Sequence, residues 1–221
     1  MMFSRCTVIA ALAVTAFLPA APFFIDRSYE LQPSREYCEL AKQYSRVHYG
    51  IDSAALTVPR IIAIHMTECG TMDQTLAQFN HPRLTGRREI EHGGQWNVGS
   101  HFIVDANGTI FSFIPLEYMA RHIIGLNHTA VGIENIAANN EALTEAQLFA
   151  NVQLVLYLKS VRPSITHVIG HHEYTDTFRT HYRLMRMLDE QYRPHYRGDP
   201  GERFMRLLRE GLSLHGLDLF D

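Results

Sequence analysis

The sequence predicts a single α/β domain in which a mixed central β-sheet is flanked by helices. Three observations carry this. The 221 residues are 46% hydrophobic and 19% charged, the ordinary balance of a globular chain long enough to bury a core without staples. Short apolar runs with strand periodicity alternate with longer runs of helical spacing. No internal repeat and no second composition regime divides the chain, so the elements read as one unit.

The first element lies outside the fold. A short start with Arg5 leads into the apolar run CTVIAALAVTAFLPAAPFFI, residues 6–25, which reads as an export signal. Small residues stand at Ala20 and Ala21, but Pro22 follows them and no clean cleavage motif ends the run. A membrane anchor is the alternative, because about 20 apolar residues suffice to span a bilayer. Residues 1–25 are therefore assigned to a signal peptide or anchor and residues 30–221 to the folded domain. Cys6 precedes the apolar run, the wrong side for lipid attachment. Removing the leader leaves Cys38 and Cys69, which an oxidising compartment would let pair if their separation allowed.

Within the domain, SREYCELAKQYSRVHY (34–49) has helical spacing with a Ser cap after Pro33, and VPRIIAIHMT (58–67) reads as a buried strand. TMDQTLAQFN (71–80) is a short helix followed by a Gly-rich loop. SHFIVDA (100–106) and TIFSFIP (109–115) flank Asn107-Gly108, a pair that tolerates the positive φ of a tight hairpin turn. TAVGIENIA (129–137) is a strand, and 143–161 is the strongest helix, opened by a Thr144/Gln147 capping box. THVIGHHEY (166–174) alternates as a strand before a polar, Arg- and Tyr-rich stretch. A last helix runs from 200 to about 214, where Asp199 as N-cap, Pro200 and Glu202 form a second capping box.

Charge excludes one class of partner. With 20 Lys+Arg against 23 Asp+Glu the net charge is −3, so no basic face is available for a phosphate backbone and nucleic acid is not expected. The outlier is histidine, with 13 copies. Imidazole is the commonest neutral metal ligand and the side chain most easily poised near neutral pH. Period-2 alternation puts Ile61, Ala63 and His65 on one face, so His65 projects from the end of a buried strand. The same rule sets His167 and His171 on one face of the later strand and His172 on the other. Each of these, taken alone, is more often a hydrogen-bonded rim residue than a ligand.

Seven segments in order, IIAIHMT, LAQFNHPR, SHFIVDANGTIFSFIP, ARHIIGLNHTAVGIENIA, LTEAQL, HVIGHHEYT and DPGERFM, resemble the zinc N-acetylmuramoyl-L-alanine amidases related to peptidoglycan recognition proteins. The resemblance covers about residues 58–208. It implies the mixed-sheet fold of that family, a Zn²⁺ held by His65, His171 and Asp199, and Glu134 as general base. Two neutral imidazoles and one carboxylate would leave a fourth position open, as catalytic zinc sites do. His122 and Asn127 match positions that line the substrate groove in relatives, and His172 falls to the rim. The implied reaction is hydrolysis of the amide between N-acetylmuramic acid and L-alanine in peptidoglycan or muropeptides. Its alternative is a recognition module that binds the same ligand without cutting it. A monomer, exported to the periplasm or beyond the cell and either free or anchored, is the expected form.

The chain departs from that pattern in three places. Arg197 stands where similar relatives carry Lys, and arginine can hold an oxyanion by charge but cannot act as an acid near neutral pH. Ser100 stands where phage-type relatives place a catalytic Tyr, which shifts proton work onto Glu134. The stretch 172–198, longer than the shortest relatives allow, is expected to form a lid or wall beside the metal or a solvated excursion.

Overall fold

In a computed structural model the described residues are 23–219. Most of the leader assignment, residues 1–22, lies outside them. Six strands form one mixed sheet: β1 (Ile25–Asp26), β2 (Ile61–Met66), β3 (Phe102–Val104), β4 (Ile110–Ser112), β5 (Ala130–Asn135) and β6 (His167–Gly170). Their spatial order is β1-β4-β3-β5-β2-β6, with only the β3/β4 hairpin antiparallel. Four α-helices complete it: α1 (Arg35–Tyr49), α2 (Met72–Phe79), α3 (Glu145–Val161) and α4 (Glu202–Leu214).

The centre of the sheet is continuous apolar sequence because it is covered on both faces. Ile61, Ile62, Ala63 and Ile64 of β2 are wholly buried, as are Ala130, Val131 and Ile133 of β5. The helix α1 starts on the Ser34 cap expected, whose hydroxyl accepts from the Tyr37 N–H, and α2 starts on Thr71, whose hydroxyl accepts from the Gln74 N–H. The Thr144/Gln147 capping box opens α3, and the Gln147 amide reaches on to the carbonyls of Val104 and Ile136. That one side chain ties the helix start to the ends of β3 and β5. The hairpin turns at Gly108, whose φ of +86° is the left-handed conformation the Asn-Gly pair provides.

Two features differ from the sequence reading, and a third bears on a pairing that reading left open. Ile25 and Asp26, at the end of the apolar run, pair in parallel with Ile110 and Phe111 and so belong to the sheet edge. The last helix starts at Glu202 with Gly201 as N-cap and no side-chain cap bond, so the capping box ascribed to Asp199 does not form. Cys38 and Cys69 are free thiols, and the Cys69 sulfur accepts from the Gln78 amide at 2.8 Å.

Candidate metal centre and catalytic cleft

Sheet register assembles the site. Strands β5, β2 and β6 run parallel side by side, which brings their C-terminal ends to one edge, where parallel α/β sheets bind ligands. His65 of β2 pairs directly with Glu134 of β5. Gly170, the last residue of β6, pairs with Ile64, so His171 next in the chain comes level with His65. His65, Glu134 and His171, successively 69 and 37 positions apart in sequence, thus meet because three strands end together.

Asp199 arrives from the other side, just before α4. Its Oδ2 accepts the Met66 N–H at 3.1 Å, fastening it to the end of β2. With the carboxylate bound there instead of to the helix start, it faces both imidazoles: Nδ1 of His171 lies 3.1 Å from Oδ1, and Nδ1 of His65 lies 3.8 Å from Oδ2. One donor atom from each of His65, His171 and Asp199 lies within 4.8 Å of the others. Donors at roughly 2.0–2.1 Å from a tetrahedral zinc stand roughly 3.3 Å apart. The spacing therefore fits a single small cation with only a slight closing of the side chains.

The charge states suit that use. Burial, the neighbouring His171 and Arg197 push the His65 imidazole down to about 3, against the pull of Asp199, so it is neutral at physiological pH, the form that ligates. Burial works to raise Asp199, but the hydrogen bond and charge of His171, the charge of His65 and the Met66 N–H overcome it and hold the carboxyl down at about 2. Glu134 goes the other way. Burial, then repulsion from Asp199 and Glu68, holds its carboxyl well above the usual range. Its Oε2 is buried without a hydrogen-bond partner.

These groups open into a cleft that also takes in Arg87, His122, Tyr174, Tyr192, His195 and Arg197. The long stretch 172–198 is the wall of this cleft. Tyr174 and Tyr192 are buried in it, and it is pinned by the Arg186 and Leu188 N–H groups donating to the carbonyls of Gly125 and His48. The buried Arg121 guanidinium donates to the carbonyls of Ile90, Gly94 and Trp96 and to the Tyr192 hydroxyl, joining the wall to the loop opposite. Arg197, expected near the metal, does line the cleft.

Both residues expected in a substrate groove line this cleft, in different ways. His122 is half-buried on the cleft, its Nδ1 only 2.9 Å from Nε2 of His65. Asn127 is fully buried, and its amide is fully engaged: Oδ1 accepts from the N–H groups of His122 and Ile123, and Nδ2 donates to the hydroxyls of Tyr44 and Tyr49. It braces the turn that presents His122. His172 turns its Nδ1 and its backbone N–H to the Asp199 carbonyl, behind the donors. Sequence reasoning missed Arg121, Tyr192 and His195. The only signal for them was an Arg next to His122 and an unusual density of Tyr, Arg and His in the stretch 172–198.

The family model described as N-acetylmuramoyl-L-alanine amidase matches residues 55–184, more than half of the chain. The chain belongs to the N-acetylmuramoyl-L-alanine amidase family. The matched span holds His65, Glu134 and His171 but ends before Arg197 and Asp199, so these two stand in the site on geometry alone. Among solved structures the chain is similar to the N-acetylmuramoyl-L-alanine amidase LysC from Clostridium intestinale, with 27% identity, 55% of this chain and 76% of that one covered, and a TM-score of 0.42. It is also similar to the Ph2119 endolysin of a Thermus scotoductus bacteriophage, with 15% identity, 76% and 96% coverage, and a TM-score of 0.46. For the Apis mellifera recognition protein PGRP-SA the values are 21% identity, 53% and 73% coverage, and 0.39. No curated protein matches the chain.

Proposed function

We propose that this amidase-family chain is a zinc hydrolase that cleaves the amide between the lactyl group of N-acetylmuramic acid and L-alanine in peptidoglycan. The observation that carries the reading is the pairing of His65 with Glu134 across β2 and β5. That register sets an unpartnered, buried carboxylate beside a three-donor cation site. His65, His171 and Asp199 would hold the zinc. When bound, zinc supplies the positive charge that lowers the pKa of water from about 15.7 toward about 7 and polarises a carbonyl oxygen.

The remaining work falls to the chain's own side chains. Glu134 takes a proton from the attacking water as its oxygen bonds to the scissile carbonyl carbon. When the C–N bond breaks, Glu134 returns that proton to the departing nitrogen, which leaves as the amine of L-alanine, and the water's second proton, left on the new lactyl carboxylic acid, passes to that amine or to solvent and leaves a carboxylate. Arg197 on the cleft wall supplies charge and hydrogen bonds to the developing oxyanion and no proton. Tyr174 and Tyr192 give the same cleft an aromatic lining, beside which charge interactions are stronger than in open water.

The apolar run 6–25 supports export, the compartment where such a substrate lies. Purified peptidoglycan incubated with the protein is expected to release stem peptides with a free L-alanine amine, identified by mass, with turnover lost in EDTA and restored by Zn²⁺. Turnover unaffected by chelator, or tight muropeptide binding with no release, would overturn the reading, the second outcome in favour of a recognition module.

A further inference from the structure

We infer that His122 is a positioning residue for the cation site, holding the His65 ring so that Nδ1 presents its lone pair, and that Gly132 is glycine to make room for it. This rests on the zinc reading of the three donors and adds a residue that acts through one of them.

The hydrogen-bond chain fixes the direction. His122 Nε2 faces the Ala130 carbonyl at 3.4 Å, and a carbonyl only accepts, so the His122 proton sits on Nε2 and its Nδ1 is an acceptor. That Nδ1 lies 2.9 Å from Nε2 of His65, which must then carry the His65 proton. A neutral imidazole protonated at Nε2 has its lone pair on Nδ1, the atom that faces Asp199. One backbone carbonyl of β5 thus sets the tautomer of two rings in series. The rings meet edge to face, 89° apart with centroids at 5.0 Å, so rotation of His65 breaks the bond.

The cradle is an independent observation. Gly132 lies inside β5, where glycine costs about 0.5–1 kcal/mol against alanine. Its backbone has no left-handed φ to demand glycine. A Cβ there would stand 2.9 Å from Cγ and Nδ1 of His122 and 2.9 Å from the Ser100 hydroxyl. Space for the His122 ring is what the missing methyl provides. Asn127 completes the support by taking the His122 N–H at 2.9 Å.

The experiment measures Zn²⁺ affinity by competition with a chromophoric chelator, and the visible spectrum of the Co²⁺ form, for wild type, His122→Ala, His122→Asn and Gly132→Ala. Melting of the metal-free proteins is followed alongside. His122→Ala and Gly132→Ala are expected to bind zinc about 10–100-fold more weakly, the usual reach of a ligand's hydrogen-bond partner, with altered Co²⁺ bands and cooperative melting retained. His122→Asn, whose Oδ1 replaces the Nδ1 acceptor, should stay close to wild type. If His122→Ala does not fold, Gly132→Ala against His122→Asn decides. Zinc affinity and Co²⁺ bands unchanged in His122→Ala or Gly132→Ala, with only KM for peptidoglycan raised, would overturn the inference in favour of a substrate contact. Wild type that takes up no zinc would overturn the metal reading itself, a separate result.

Discussion

Glu134 is held in a conflict that its proposed proton-transfer role explains. A carboxylate 9% exposed, with one oxygen unpartnered and Asp199 and Glu68 nearby, is destabilised when ionised. Its folded pKa is raised, so its contribution to stability is greatest below its unfolded value near 4.5 and is lost as pH rises through the folded value. At neutral pH the metal-free fold therefore carries a cost that a neutral isostere removes. Glu134→Gln is expected to raise the melting temperature of the metal-free protein at pH 7 while lowering kcat by about 10² or more, with zinc still bound. Differential scanning calorimetry and turnover on the same sample check both halves. A lower melting temperature, or an unchanged kcat, would remove Glu134 from its role. His65 and Asp199, both depressed, suit binding a cation, and Glu134 suits moving a proton.

At the scale of elements, the helices state their own ends. Removing the α3 cap with Thr144→Ala loses the Gln147 N–H bond and the bond from the Thr144 hydroxyl to the Ala106 carbonyl. It should cost about 1 kcal/mol in urea unfolding without changing zinc affinity. The Ser34 and Thr144 caps, the Asn107-Gly108 turn and the buried runs of β2 and β5 were legible because each depends on neighbours in sequence. What was not legible depends on distant partners. β1 is two residues long and exists through pairing with Ile110 and Phe111, so its apolar sequence reads as leader. Asp199 has the local pattern of an N-cap, yet the Met66 N–H and the two imidazoles take its carboxylate and Gly201 caps α4 instead. The wall 172–198 lacks periodicity, and bonds to Gly125, His48 and Arg121 hold it in place.

Across the whole molecule, the candidate ligands His65 and His171 and the candidate base Glu134 were singled out in the sequence through resemblance, while their convergence follows from strand order. Placing β2 between β5 and β6 makes the site a property of the sheet edge. The same burial makes the fold acid-sensitive. His65 is depressed to about 3, and His101 and His128 to about 4, each chiefly by burial. Each keeps its stabilising neutral state above the unfolded value near 6.5, and that stability is lost as pH falls through 6.5 toward the folded values. Metal-free protein is therefore expected to lose chemical stability progressively between about pH 6.5 and pH 4, followed by urea midpoints across that range. A flat profile would contradict the buried neutral imidazoles.

In the proposed function His65, His171 and Asp199 share one zinc ion. Metal content of chelator-stripped, reconstituted protein, read by mass spectrometry under native conditions, tests it most directly. One zinc per wild-type chain is expected, with loss of that zinc when His65, His171 or Asp199 is replaced by alanine in a folded variant. Folded variants that retain wild-type zinc content, above all Asp199→Ala, would contradict it.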